Sequence, residues 1–252
     1  MFRSTFLVVS ALAWAAFTNG GFETGTPGSV PPGWVADSFL NSVGVTIQNP
    51  QTVEGLNLSP GGVVATFILN SPAGPLSQAD PFLGTIASLR WPKYGTQAVI
   101  VNAESSDAFG RGRNANSLSQ VMTIRARDVD GSDGKAHIRF VFAPVLENAN
   151  HAAAQQPYYF IQLTNVTRAT ILYTSFGTAP RAGSDQPSPW KSTMASISGA
   201  ETEVDYMDWQ LVDIAPGSPA INIGDQVKLQ IIASGCQPGG HAGYVLVDGF
   251  PS

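Results

Sequence analysis

Apolar and polar residues alternate with a period of two in several separate runs of this chain, the pattern of half-buried strands. Val121–Arg127 places Met122, Ile124 and Ala126 on one face, with Thr123, Arg125 and Arg127 on the other. His137–Phe142 repeats the pattern with Ile138, Phe140 and Phe142 inward. The segment between them, Asp128-Val129-Asp130-Gly131-Ser132-Asp133-Gly134, is rich in turn formers, so a hairpin is predicted. Further strands are predicted at 63–69, 98–101, 158–165, 169–175, 204–214 and 227–233, with Pro, Gly, Asn or Asp in most gaps. The gap from Gly177 to Gly199 is long and polar and reads as a surface loop. No segment sustains a 3.6-residue apolar period long enough for a substantial helix. The expectation is an all-β chain: a two-sheet jelly-roll β-sandwich of about ten or eleven strands.

Composition narrows the compartment and the partners. A chain of 252 residues with 26 Gly, 18 Pro and 12% charged residues suits one large β domain. Residues 1–15 have the make-up of a signal peptide: Arg3, an apolar run from Phe6 to Ala13, and the small-x-small Ala13-Trp14-Ala15. That apolar run is too short for an ordinary membrane span, so the mature chain, 16–252, is expected to be a single β-sandwich domain without one. The balance of 13 basic against 18 acidic residues, −5 overall, argues against nucleic acid as a partner. Between Thr24 and Leu89 the only charges are Asp37, Glu54 and Asp80. A secreted or cell-surface location is expected. Cys236 has no internal partner for a disulfide and is expected to be a buried, inert thiol.

The two ends of the chain carry the most specific chemistry. Asn19-Gly20-Gly21-Phe22-Glu23-Thr24-Gly25 and Gly243-Tyr244-Val245-Leu246-Val247-Asp248-Gly249-Phe250 each set one acidic residue in an apolar or glycine-rich run, read as the first and last strands. Side by side in a sandwich, Glu23 and Asp248 would need a cation or a proton between them. Calcium is the economical choice, with backbone carbonyls completing its oxygen shell. The alternative makes Glu23 an exposed strand residue and Asp248 a turn former before Gly249.

These end segments, together with Pro31-Pro32-Gly33-Trp34, resemble the secreted bacterial jelly-roll domains that are galactose-binding-like and include many carbohydrate-binding modules. That resemblance implies a structural Ca2+ held by Glu23 and Asp248. The stretches 119–143, 155–165 and 206–239 also resemble extracellular domains of bacterial surface proteins.

The remaining candidates are weaker. Asp128, Asp130 and Asp133 suit a calcium loop but lack the EF-hand spacing and its distant Glu, and a turn is the favoured reading. Sugar binding requires exposed aromatic platforms; Trp190, Trp91 and Tyr94 are the candidates, Trp190 foremost because its loop reads as exposed, while Trp34 and Trp209 read as core. His137, His151 and His241 lack metal-ligand spacing. No nucleophile elbow, zinc-protease helix or phosphate loop is present. The function expected is therefore that of a non-enzymatic, calcium-stabilised structural or adhesive protein that self-associates. A module binding an extracellular polysaccharide is the alternative, and a glycan-degrading enzyme comes third.

Overall fold

A computed structural model describes residues 17–45, 50–103, 113–148, 150–179, 189–197, 199–217 and 220–249. The predicted leader at 1–15 lies outside them. The first half of the chain contributes β1 (Val35–Leu40), β2 (Ser59–Pro60), β3 (Phe67–Asn70), β4 (Gln78–Ala79), β5 (Arg90–Trp91), β6 (Gln97–Val101) and β7 (Asn114–Thr123). The second half adds β8 (Ile138–Glu147), β9 (Tyr158–Asn165), β10 (Thr170–Thr178), β11 (Trp190–Ala195) and β12 (Thr202–Met207). β13 (Gln210–Ile214), β14 (Gln226–Ser234) and β15 (Gly243–Asp248) complete the set. Helical structure among the described residues is confined to three short 3₁₀ turns, and no helix there is long and apolar enough to cross a membrane.

The strands build a jelly-roll sandwich of two antiparallel sheets. One runs β10-β9-β14-β7-β1-β2; the other runs β11-β12-β8-β15-β6-β3, with β13 also on β8, and β4-β5 form a small separate ribbon. Period-two alternation decides what each side chain meets. In β15, Val245 and Val247 enter the core between the sheets, whereas Tyr244 and Leu246 face the opposite way. There they pack beneath an outer layer that includes Leu83, Leu89 and Trp91. On the other sheet, Tyr158, Phe160 and Ile232 point outward against Val45 and Leu56. Each sheet is thus covered on both faces over part of its area, which explains why β6 and β15 are buried at every position. Fully burying one such aliphatic or aromatic side chain stabilises the fold by about 1.5–3 kcal/mol.

Three local expectations are corrected. The runs around Met122 and Phe140 do not form a hairpin: β7 pairs with β1 and β14 in one sheet, and β8 pairs with β12, β13 and β15 in the other. The Asp-rich segment crosses from sheet to sheet, closed by a single bridge between Val129 and Ala136. The run 204–214 is two strands, β12 and β13, separated at Asp208-Trp209. The segment Asn19–Gly25 is a chain of turns rather than a strand, with Asn19 and Phe22 at positive φ, and β1 begins only at Val35. Short added strands also raise the number above the ten or eleven expected.

The opening motif still has a structural purpose. Phe17 and Phe22 pack on Trp34 at ring-centroid distances of 5.5 and 5.3 Å. The Trp34 indole N–H donates to the Thr18 carbonyl, and Gln120 donates to Thr18 and Gly33. The Asn19 side chain closes the turn by accepting from the Thr24 N–H and hydroxyl. This fixes the backbone that carries Glu23.

Candidate functional site

The end of β15 and the turn chain at 19–25 meet over one connection, residues 93–97 between β5 and β6. Asp248 is fully buried; its Oδ2 accepts the Tyr94 N–H at 2.9 Å and its Oδ1 accepts the Gly249 N–H at 2.7 Å. A backbone bond from Lys93 also reaches it. Glu23 grips the same connection one step on. Its Oε1 accepts from the N–H groups of Thr96 (2.9 Å) and Gln97 (3.0 Å), and its Oε2 accepts the Thr96 hydroxyl at 2.8 Å. Gly95, between the two grips, has φ +53°, and any Cβ there would collide with the Glu23 carboxylate. Gly249 has the same constraint from the Gly20 carbonyl, so that oxygen lies directly against the residue after Asp248.

The electrostatics follow from this placement. Burial pushes the Asp248 carboxyl up to about 8, the Glu23 charge adds to the rise, and the three backbone donors offset only part of it. Tyr94 is pushed up as well, by its own burial and by Asp248. The donor set is entirely oxygen: two carboxylates, the Gly20 carbonyl and the Thr96 hydroxyl. Each carboxylate has about four acceptor positions. Three hydrogen-bond donors reach Asp248 and three reach Glu23. A Ca2+ ion held by these oxygens would take the rest of its six to eight ligands from carbonyls and water.

The aromatic candidates are scattered. Trp91 is buried, 7% exposed, in the outer layer of the seven-stranded sheet, and its N–H donates to the Ala79 carbonyl at 2.8 Å. It is a packing residue and does not offer the exposed face a platform requires. Trp190 opens β11 opposite Met207 rather than sitting in a loop. It is half-buried and packs 6.3 Å from the Tyr159 ring. Tyr94 is half-buried beside the carboxylate pair. Trp34 is core, as expected. Trp209 is half-buried instead and lines an open pocket with Leu76, Ser88, Leu89, Arg90, Lys93 and Asp208. Its N–H donates to the Arg90 carbonyl at 2.7 Å, and Lys191 pairs with Asp208 at the rim.

The Asp128–Asp133 segment is built from turns. Asp128 accepts the Arg125 N–H, Asp130 accepts the N–H and hydroxyl of Ser132, and Asp133 accepts the Lys135 N–H while pairing with His137. Sequence reasoning missed a different grouping. His151, Cys236 and His241, far apart in the chain, come together with their ligand atoms all within 4.8 Å of one another. No regular spacing announces it, because two separate loops supply the residues.

No family model matches the chain, and no curated protein matches it either. Several solved structures are similar at low identity. The K2 cleaved adhesin domain of Lys-gingipain is 12% identical, with 91% of this chain and 94% of that one covered and a TM-score of 0.37. A carbohydrate-binding module from the β-sandwich superfamily is 9% identical over 96% of this chain, which spans 64% of that longer one, with a TM-score of 0.34. The module CBM27-1 of Caldicellulosiruptor saccharolyticus, solved with mannohexaose, is 11% identical over 74% of this chain and 96% of that one, at a TM-score of 0.31.

Proposed function

We propose that this chain is a non-enzymatic, secreted or cell-surface structural and adhesive protein whose copies join through a sheet edge, and that Glu23 and Asp248 hold a stabilising Ca2+. The observation that carries the first part is β10. It lies at the end of its sheet, and among the described residues nothing pairs with its outer side. Its nine residues, TILYTSFGT, carry no charge and no proline. An edge of that length presents a row of unpaired N–H and C=O groups, which is the template for adding a strand from a second chain. A bulge between Ile171 and Tyr173 disturbs its first residues, but the pairing from Tyr173 to Thr178 is regular. The other edges are weaker templates: β2 has two residues, β3 has four, and β11 carries Lys191.

Light scattering across a concentration series tests this. The wild-type chain is expected to form dimers or larger species, and replacing the exposed Thr170 and Ile171 by lysine together is expected to return it to monomer with its melting temperature unchanged. A wild-type chain that stays monomeric at high concentration would refute the edge proposal.

The Trp209 pocket supports a second reading, binding of an extracellular polysaccharide. A half-exposed indole with Lys93 and Asp208 beside it offers one apolar face and charged hydrogen-bonding groups to a sugar ring. The same residue, Lys93, donates its backbone N–H to Asp248, so calcium at the carboxylates would steady the pocket wall. Loss of glycan-array binding on Trp209→Ala, with Trp91 intact, would favour this reading over association.

A further inference from the structure

We propose that His151, Cys236 and His241 form a binding site for a thiophilic transition-metal cation, Zn2+, separate from the carboxylate pair. The Cys236 sulfur lies 3.5 Å from the His241 Nδ1. Two ligands at about 2.3 Å (sulfur) and 2.1 Å (nitrogen) from a tetrahedral zinc are about 3.6 Å apart. The pair is therefore already spaced as two corners of a zinc tetrahedron. The third corner is His151, whose ring stands edge-on to His241 at 5.2 Å. Its Nε2 is buried and has no hydrogen-bond partner, an orphan that a metal would satisfy.

The two loops are held in register by other bonds. The Gln237 N–H donates to the Gln155 carbonyl at 2.9 Å, and the Gln155 side chain donates to Gln237 Oε1 at 3.0 Å. Asn41 donates to the Gly235 carbonyl, and Gln237 donates to that of Ser42. These contacts fix the backbones on either side, so the ligands converge without the metal.

Charge and access fit a cation. Glu147 is fully buried, accepts the N–H of Ala242 next to His241, and lies near Cys236. Binding replaces the thiol proton: the S–H bond breaks, the sulfur lone pair enters the S–Zn bond, and H+ leaves to solvent. The Zn2+–thiolate pair then carries one positive charge, with Glu147 nearby. His151 lines a surface pocket with Asn150, Gln156 and Thr178, which gives the ion a route in and leaves water the fourth position.

Metal-free protein titrated with Co2+ alone is the test. A sulfur-to-cobalt charge-transfer band is expected to saturate at one equivalent per chain and to vanish when Zn2+ displaces the cobalt. Cys236→Ser abolishes the band, while His151→Ala and His241→Ala weaken affinity by more than about tenfold. Asp248→Ala retains it, which separates this site from the calcium proposal. In the wild-type protein, Zn2+ slows alkylation of Cys236, a readout that requires no variant to fold. Absence of the band, its persistence in Cys236→Ser, or an alkylation rate indifferent to Zn2+ would each overturn the assignment.

Discussion

Asp248 is where a single residue has the largest leverage. Its folded-state value of about 8 lies above the ordinary unfolded carboxyl value of about 3.9. Between those limits the native chain holds a proton that the unfolded chain has released, so stability falls as pH rises through the window. Without a divalent cation, the melting temperature is expected to drop between pH 5 and pH 8. Millimolar Ca2+ is expected to reverse the drop, raising the melt more at pH 8 than at pH 5 because the proton must leave before the ion binds. In a chain this size each kcal/mol corresponds to about 2–4 °C. Asp205, pushed up to about 6 by burial and then by Glu203, tilts the profile in the same direction. The Asp248→Asn variant isolates the effect: it should flatten most of the profile and remove the calcium response. A calcium response that survives in Asp248→Asn would refute these two residues as the site. Of this chemistry, the single acidic residues set in apolar or glycine-rich runs are readable in the chain. The shared grip on 93–97 is not, because it depends on backbone N–H groups that every residue possesses.

At the scale of elements, a buried polar anchor ties the outer layer to the seven-stranded sheet. The Tyr244 hydroxyl, from the buried face of β15, donates to Asp80 Oδ1 at 2.5 Å. That same oxygen accepts the N–H groups of Phe82 and Leu83 and shapes the turn between β4 and β5. Burial raises the Asp80 carboxyl, and its other oxygen is buried without a hydrogen-bond partner. Tyr244→Phe keeps the ring and deletes the donor, so the expected cost is about 1–3 kcal/mol in denaturant unfolding. An unchanged midpoint would mean that this hydroxyl adds nothing measurable to the layer. β7 shows why such elements are hard to read. Its first half, Asn114–Gln120, is polar by composition yet buried throughout. Asn116 donates to Asn102 Oδ1 and accepts the Ala65 N–H, and Asn114 exchanges bonds with Val63. Polar side chains there complete the backbone bonds of neighbouring loops, so hydropathy points to the surface when the position is core. β9, by contrast, is found at the predicted 158–165, because its apolar residues face packed layers on both sides.

For the molecule as a whole, three packed layers of unequal size predict unequal opening. The inter-sheet core joins long strands from both sheets, whereas the outer cover near Val45 and Leu56 rests on a few short elements. In native-state hydrogen exchange, β7, β8, β9, β14 and β15 should be slowest, with 50–58 and 76–90 exchanging earlier. Ca2+ should protect 17–25 and 93–97 selectively, and uniform protection across the chain would count against three separable layers. The chain by itself determines the class of this molecule. Period-two alternation, frequent turn residues and the lack of a helical period leave a β-sandwich as the way to bury its apolar faces. Which strands share a sheet is a tertiary decision: loops of similar composition serve a hairpin or a crossover, and the hairpin expected at 121–142 is a crossover. The exposure of Trp91, Trp190 and Trp209 was settled the same way, by what packs over each strand. So was the meeting of His151, Cys236 and His241, because side chains from separate loops acquire a common neighbourhood only when both sheets are assembled.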